Sequence, residues 1–275
     1  MHLSEIQKGR TTMKTVIWGF LIGVLLPVSH TDQGLNDFVE IFRDDFNGSG
    51  TPDPAKWKLE QTAAGADIRN ERQVFRRENF ALENGLLHLF TRNEQYNGYN
   101  YTSGRVSTRG LFDFQYGELE LRAKITADIQ HIGGTVTLQN SQCDTTIPCR
   151  EFPGKATVFI GGGEALASIA DHVPRARPPP EMSTLYFKTL PSNFTQDFHV
   201  FKVTWTPDQL VWFIDDVAVW SITGEAVPRV RMQVVLNSYA GQFMPSVAPP
   251  DVKLPFGFTI DYVVVRQSTN STGSA

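Results

Sequence analysis

The sequence predicts an all-β sandwich of many short strands, on three observations. Residues Gly117 to Ile125 alternate strictly between apolar and charged side chains. A late block, Val203 to Ile222, holds three β-prone runs separated by turn-forming residues. Between Asp37 and Gln267 no helical period lasts beyond a turn or two. The chain has 275 residues, 41% of them hydrophobic and 20% charged, enough for a sizeable core and too apolar for disorder. A formal net charge of −4 gives no overall attraction to nucleic acid or anionic membrane, and neither is expected as a partner.

Residues 1–30 read as an N-terminal extension with a signal peptide. Thr15 to Val28 is an apolar run that includes Trp18, Phe20, Leu21, Ile22, Leu25 and Leu26, with Lys14 in front and Ser29 and His30 behind. A spanning helix needs about 20 apolar residues, so secretion is expected here rather than membrane insertion. Either Met1 or Met13 serves as the start, because residues 1–12 are polar and add nothing to the signal. In a secreted chain the sequons at Asn47, Asn100, Asn193 and Asn270 become glycosylation sites wherever they are exposed. Cys143 and Cys149 flank a short, turn-rich segment; in an oxidising compartment they read as a local disulfide, the alternative being two free thiols.

The elements follow in order. In Gly117 to Ile125 the apolar face is Leu119, Leu121, Ala123 and Ile125, as in a half-buried strand. Glu118 and Glu120 on its other face read as a solvated ladder with Arg122 and Lys124. Pro174 to Pro180 is an extended, proline-rich loop within the sheet region. Val203 to Trp205, Leu210 to Ile214 and Val217 to Ile222 form successive hairpins across Thr206-Pro207-Asp208 and Asp215-Asp216. Phe258 to Val265 closes the sandwich, and 268–275 is a polar tail. The six His have no metal-ligand spacing, and neither a nucleophile elbow nor a phosphate loop occurs, so no metal or cofactor is expected.

Several blocks, in order, resemble the family 16 glycoside hydrolases, both the laminarinase-like β-1,3-glucanases and the non-catalytic β-1,3-glucan recognition proteins (Gram-negative bacteria-binding protein type). They are Asp44-Asp45-Phe46-Asn47-Gly48 with Trp57, Asn70-Glu71-Arg72-Gln73, Glu83 to Leu87, and Tyr101-Thr102-Ser103-Gly104-Arg105. They continue through Tyr116 to Lys124, Phe198 to Val200, Trp205 to Asp208, Trp212 to Asp215 and Ile260 to Val265. The resemblance covers residues 37–267 and implies a concanavalin A-like β-jelly roll of two curved sheets, with a glycan cleft on the concave face. By position it implies glycan contacts at Asn70, Tyr101 and Arg105; each reads equally as a polar residue satisfied inside the fold. It also implies a structural Ca²⁺ position at Asp261, which by its own sequence context reads as an ordinary strand-edge carboxylate.

The resemblance fails at the catalytic strand. The family carries Glu-x-Asp-x-x-Glu, or a form one residue shorter, because retaining hydrolysis needs two carboxyls about 5–5.5 Å apart. Here the segment is Gly154-Lys155-Ala156-Thr157-Val158-Phe159-Ile160. The three roles fall on Lys155, Thr157 and Ile160, or on Phe159 in the shorter form, and neither register supplies a carboxylate. The family's Gly-x-Trp-Pro-Ala becomes Gly133 to Thr137, its Thr-Leu-His becomes Thr184-Leu185-Tyr186, and its late Gly-Gly-x-Trp becomes Ala240-Gly241-Gln242-Phe243. The five Trp lie outside these cleft-lining segments, and Phe243 retains part of one aromatic platform. Glu151 and Glu164 flank the degenerate strand in loop-like sequence.

Three readings follow. The first is a secreted, catalytically inactive glucanase-like protein that binds β-1,3-glucan or a related glycan in innate recognition, with a polysaccharide or surface glycan as partner. The second is an active endo-β-glucanase with displaced residues. The third is a protein-interaction module without glycan binding.

Overall fold

A computed structural model describes residues 38–61, 73–125, 132–142, 155–161, 164–170, 185–188, 197–224, 227–240 and 256–268. In chain order its strands are Phe38–Asp44 (β1), Lys58–Leu59 (β2), Gln73–Phe75 (β3), Phe80–Glu83 (β4), Leu86–Tyr96 (β5) and Tyr99–Ser103 (β6). They continue with Arg105–Ser107 (β7), Gly117–Ile125 (β8), Ile132–Asn140 (β9), Lys155–Gly161 (β10), Glu164–Ala170 (β11) and Leu185–Lys188 (β12). The last five are His199–Trp205 (β13), Gln209–Ile214 (β14), Val217–Thr223 (β15), Met232–Ala240 (β16) and Phe256–Ser268 (β17). The described residues contain no α-helix. Residues 1–37, with the expected signal segment, lie outside the described residues, as do Asn70, Cys143, Cys149, Asn193, Phe243 and Asn270.

The architecture is the expected all-β jelly-roll sandwich. The larger sheet runs β15-β14-β13-β8-β17-β5-β6-β3, with β1 added to β17 and β4 to β5. The smaller runs β12-β11-β10-β9-β16-β7-β2. Alternation sets which face is core. On β8 the four apolar side chains are buried and the charged ones are part-exposed. Across from them, Val136 and Leu138 of β9 and Met232, Val234, Leu236 and Ala240 of β16 join the same apolar cluster. Trp205 and Trp212 anchor the β13–β14 end of that cluster.

Two glycines set the spacing between the sheets. A Cβ on Gly134 would stand 2.3 Å from the Phe258 ring, so β9 reaches β17 only because that position is bare. At Gly104 the chain passes from β6 in the larger sheet to β7 in the smaller, and an added Cβ would meet the Asn79 carbonyl oxygen at 2.2 Å. The Gly104 N–H donates to the Phe90 carbonyl at 3.0 Å, while Ser238 N–H donates to the Gly104 carbonyl at 3.0 Å, tying the crossing to both sheets.

The late hairpins form as the turn residues predict. Asp215 and Asp216 take φ of 49° and 60°, the positive pair that a tight two-residue hairpin needs. Two expectations need correction. Glu118 and Glu120 pair across the sheet with Arg266, at 2.7 and 3.2 Å, rather than along β8 with Arg122 and Lys124. Side chains opposite one another on neighbouring strands are closer than successive ones on one face of a strand. Asp261 is no strand-edge residue. It sits at a bulge in central strand β17, between Ile260 and Tyr262, and accepts from Arg122 Nη1 at 2.5 Å.

Candidate functional site

The face of the smaller sheet turned away from the core is polar, and its register is continuous. Along β9 the odd positions Thr135, Thr137 and Gln139 take this face, because Val136 and Leu138 belong to the core. Pairing carries the face outward to Gln233, Val235, Asn237 and Tyr239 on β16, then to Arg105 and Ser107 on β7. It ends at Lys58, which pairs with Ser107, and at Glu60 just beyond β2.

In the other direction Lys155, Thr157 and Phe159 of β10 pair with Gln139, Thr137 and Thr135. These three positions therefore share the polar face. Ile160 pairs with Gly134 and falls on the core-facing side. The register of β10 against β9 has no bulge, so Phe159, the third position of the shorter form, shares the face of Lys155 and Thr157, and Ile160, that of the longer form, does not. On β11, Glu164 pairs with Gly161 and takes the polar face as well.

The part of this face on β9, β16 and β7 is buried. Arg105 is 6% exposed; its Nε stands 3.0 Å from Glu60 Oε2, its Nη2 donates to Gln139 Oε1 at 3.2 Å, and its guanidinium lies 5.1 Å over the Phe75 ring. The Ser107 hydroxyl donates to Glu60 Oε1 at 2.5 Å, and Thr135 Oγ1 donates to Asn237 Oδ1 at 2.7 Å. Burial pushes the Tyr239 phenol pKa far up, so it stays protonated. All of β16 is buried on both faces.

The expected contact residues separate. Arg105 lies on this face but is enclosed by its ion pair. Tyr101 belongs to β6 of the larger sheet, half-buried against the apolar core. The sequons Asn47 and Asn100 are both exposed, in the loop after β1 and on β6. Glu60, a buried carboxylate on this face, is a residue sequence reasoning missed. Its Lys-Leu-Glu alternation marks a strand edge, but nothing local reveals Arg105 as its partner.

Open space lies at the β2 end of the face. A groove of about 490 Å³ is lined there by Pro54, Trp57, Lys58, Glu60, Arg77 and Arg109, among others. That volume is within the usual range of ligand sites. Trp57, placed by the sequence outside the cleft-lining segments, forms part of the wall. It is fixed by its indole N–H, which donates to Asp44 Oδ2 at 2.8 Å, and by Phe42 and Phe46.

Carboxylate pairing across this face is limited by distance. Glu60, just beyond β2, and Glu164 on β11 stand five inter-strand steps apart in the smaller sheet. At about 4.8 Å per step that is about 24 Å, beyond the roughly 5–9.5 Å that glycoside hydrolysis uses. Glu118 and Glu120 lie on the outward face of the other sheet.

Comparison with known proteins matches residues 181–264 to the glycosyl hydrolases family 16 model. The chain is 28% identical over 233 residues to a beta-glucanase of Rhodothermus marinus, covering 75% of this chain and 74% of that protein. It is 24% identical over 209 residues to the clotting factor G alpha subunit of Tachypleus tridentatus, covering 74% of this chain but 30% of that one. Among solved structures, the catalytic domain of an endo-1,3-beta-glucanase (laminarinase) from Thermotoga petrophila RKU-1 superposes with a TM-score of 0.72. Identity there is 23%, over 86% of this chain and all of that one, a likeness of fold.

Proposed function

We propose, from the premise that the chain is a relative of the family 16 glycosyl hydrolases, that it is a secreted glycan-binding protein that does not hydrolyse its ligand. The ligand class is β-1,3-glucan or a related surface glycan. One observation carries this reading: Lys155, Thr157 and Phe159 occupy the polar-face positions of β10. An ammonium, a hydroxyl and a phenyl ring offer neither a nucleophile for a glycosyl ester nor an acid for the leaving oxygen. The apolar run of residues 15–28 supports secretion. The likeness to a clotting factor subunit, over 30% of that protein, is the support for a role in recognition.

The test is reducing-sugar release from laminarin, alongside a pull-down on insoluble β-1,3-glucan. Binding without release supports the reading. Release that disappears in Glu164→Ala supports an active enzyme with displaced residues, since Glu164 shares the polar face. Absence of both binding and release supports an interaction module that retains only the sandwich.

A further inference from the structure

We propose that the groove at the β2 edge is a subsite for anionic glycan, meaning carbohydrate that carries sulfate or carboxylate groups. This rests on the glycan-binding reading above and specifies the ligand class at the open end of the same face.

Three cations from three separate elements line the groove: Lys58 on β2, Arg77 in the turn after β3, and Arg109 in the turn after β7. Lys58 and Arg77 are exposed, and among the described residues neither forms an ion pair. Among the described residues, three nearby acids are engaged elsewhere. Glu78, next to Arg77 in the chain, pairs with Arg76 Nε at 3.1 Å. Asp53 accepts from the Ala55 N–H at 2.9 Å and so caps its own turn. Glu60 is held by Arg105 and Ser107.

Lys58 reaches the Arg109 turn. A Cβ on Gly110 would stand 3.3 Å from Lys58 Nζ, and Gly110 takes φ of +66°, so the ammonium rests against the turn that carries Arg109. Lys58 and Arg77 carry no ion pair among the described residues, and an anionic ligand in the groove would supply one. Charge-assisted hydrogen bonds from a guanidinium to sulfate or carboxylate supply the strong polar contacts, and the exposed Pro54 supplies apolar surface for a sugar ring.

The experiment is calorimetric titration of the secreted chain with laminarin and with sulfated laminarin, at low and at 0.5 M NaCl. It includes Lys58→Gln/Arg77→Gln and, as a control, the exposed Arg229→Gln. The wild type is expected to prefer the sulfated polymer about tenfold at low salt, and added salt closes the gap by screening. The double variant loses about tenfold on the sulfated polymer and nothing on laminarin, while Arg229→Gln behaves as wild type. The proposal falls if wild type binds both polymers equally, if the double variant keeps its preference, or if Arg229→Gln loses as much. In those cases laminarin binding leaves the glycan-binding reading standing. Failure to bind either polymer overturns both.

Discussion

Glu60 and Arg105 close a buried ion pair across β2 and β7, with Oε2 and Nε 3.0 Å apart and the side chains only 5% and 6% exposed. The pair is backed by Ser107 on the acid and Gln139 on the guanidinium, so both charges keep hydrogen-bond partners after leaving water. It fixes the β2 edge to the sheet, and with it the floor of the groove.

Removing one partner leaves the other charge buried. Arg105→Met and Glu60→Leu are each expected to cost about 3–5 kcal/mol. For a domain of this size that lowers the melting temperature by about 6–20 °C. The double variant Glu60→Leu/Arg105→Met should lose less than the sum of the singles, because well-packed apolar replacements remove both uncompensated charges. Denaturant unfolding of the four proteins checks this; fully additive losses would mean that the two residues act independently.

Gly134 and Phe258 give a second stability prediction. The Cβ that Gly134→Ala adds would stand 2.3 Å from the Phe258 ring, and a ring locked between two sheets cannot withdraw as a flexible chain end can. Overpacking of this kind costs about 1–3 kcal/mol. Phe258→Leu should recover part of that loss in the Gly134→Ala background while being destabilising by itself. Urea midpoints for the singles and the pair test it.

Much of the larger sheet was legible because its signals are local. The strand at Gly117 to Ile125 has the ends that its alternation gives, and Asp215-Asp216 supplies turn chemistry that any neighbourhood would respect. The closing strand was legible in its middle, yet it runs from Phe256 to Ser268 and bulges at Asp261. A bulge is a mismatch between two strands, and one strand's residues do not reveal it. The site was less legible for the same reason. Whether Phe159 or Ile160 shares the face of Thr157 depends on the absence of a bulge between β10 and β9. Arg105 is quoted in the family-like block, but its burial depends on Glu60, which is remote in sequence and carries no motif.

His88 predicts a pH dependence. It lies on the outward face of β5, with Nδ1 3.0 Å from Thr259 Oγ1. Burial, helped by nearby Lys124 and opposed by Glu83, holds its pKa below the ordinary 6.5. The unfolded chain then binds the proton more readily than the folded one. The His88 contribution is intact above about pH 6.5 and is lost as pH falls toward the lower folded value. The drop in unfolding free energy between pH 7.5 and 5 should therefore be larger for wild type than for His88→Gln. Equal drops would show that His88 is not desolvated in the folded state.

The degenerate strand gives the last prediction, which separates Phe159 from Ile160. Phe159 pairs with Thr135 and shares the polar face, whereas Ile160 pairs with Gly134 on the side where Gly134 meets Phe258. A carboxylate placed at 160 stands at the position opposite Gly134, on the core-facing side of the sheet. A charged group on a core-facing position loses hydration, so it must stay protonated or the strand must detach. Ile160→Glu is expected to abolish secretion of folded protein, or to lower its urea midpoint by the equivalent of several kcal/mol. Phe159→Glu places the same group beside hydroxyls and amides and should leave the folded yield near wild type. A set built on the longer motif, Lys155→Glu/Thr157→Asp/Ile160→Glu, therefore fails at folding before catalysis can be assayed. The set with Phe159→Glu should fold and can be assayed on laminarin. If Ile160→Glu is secreted with a wild-type midpoint while Phe159→Glu is not, β10 carries a bulge and the face assignment reverses.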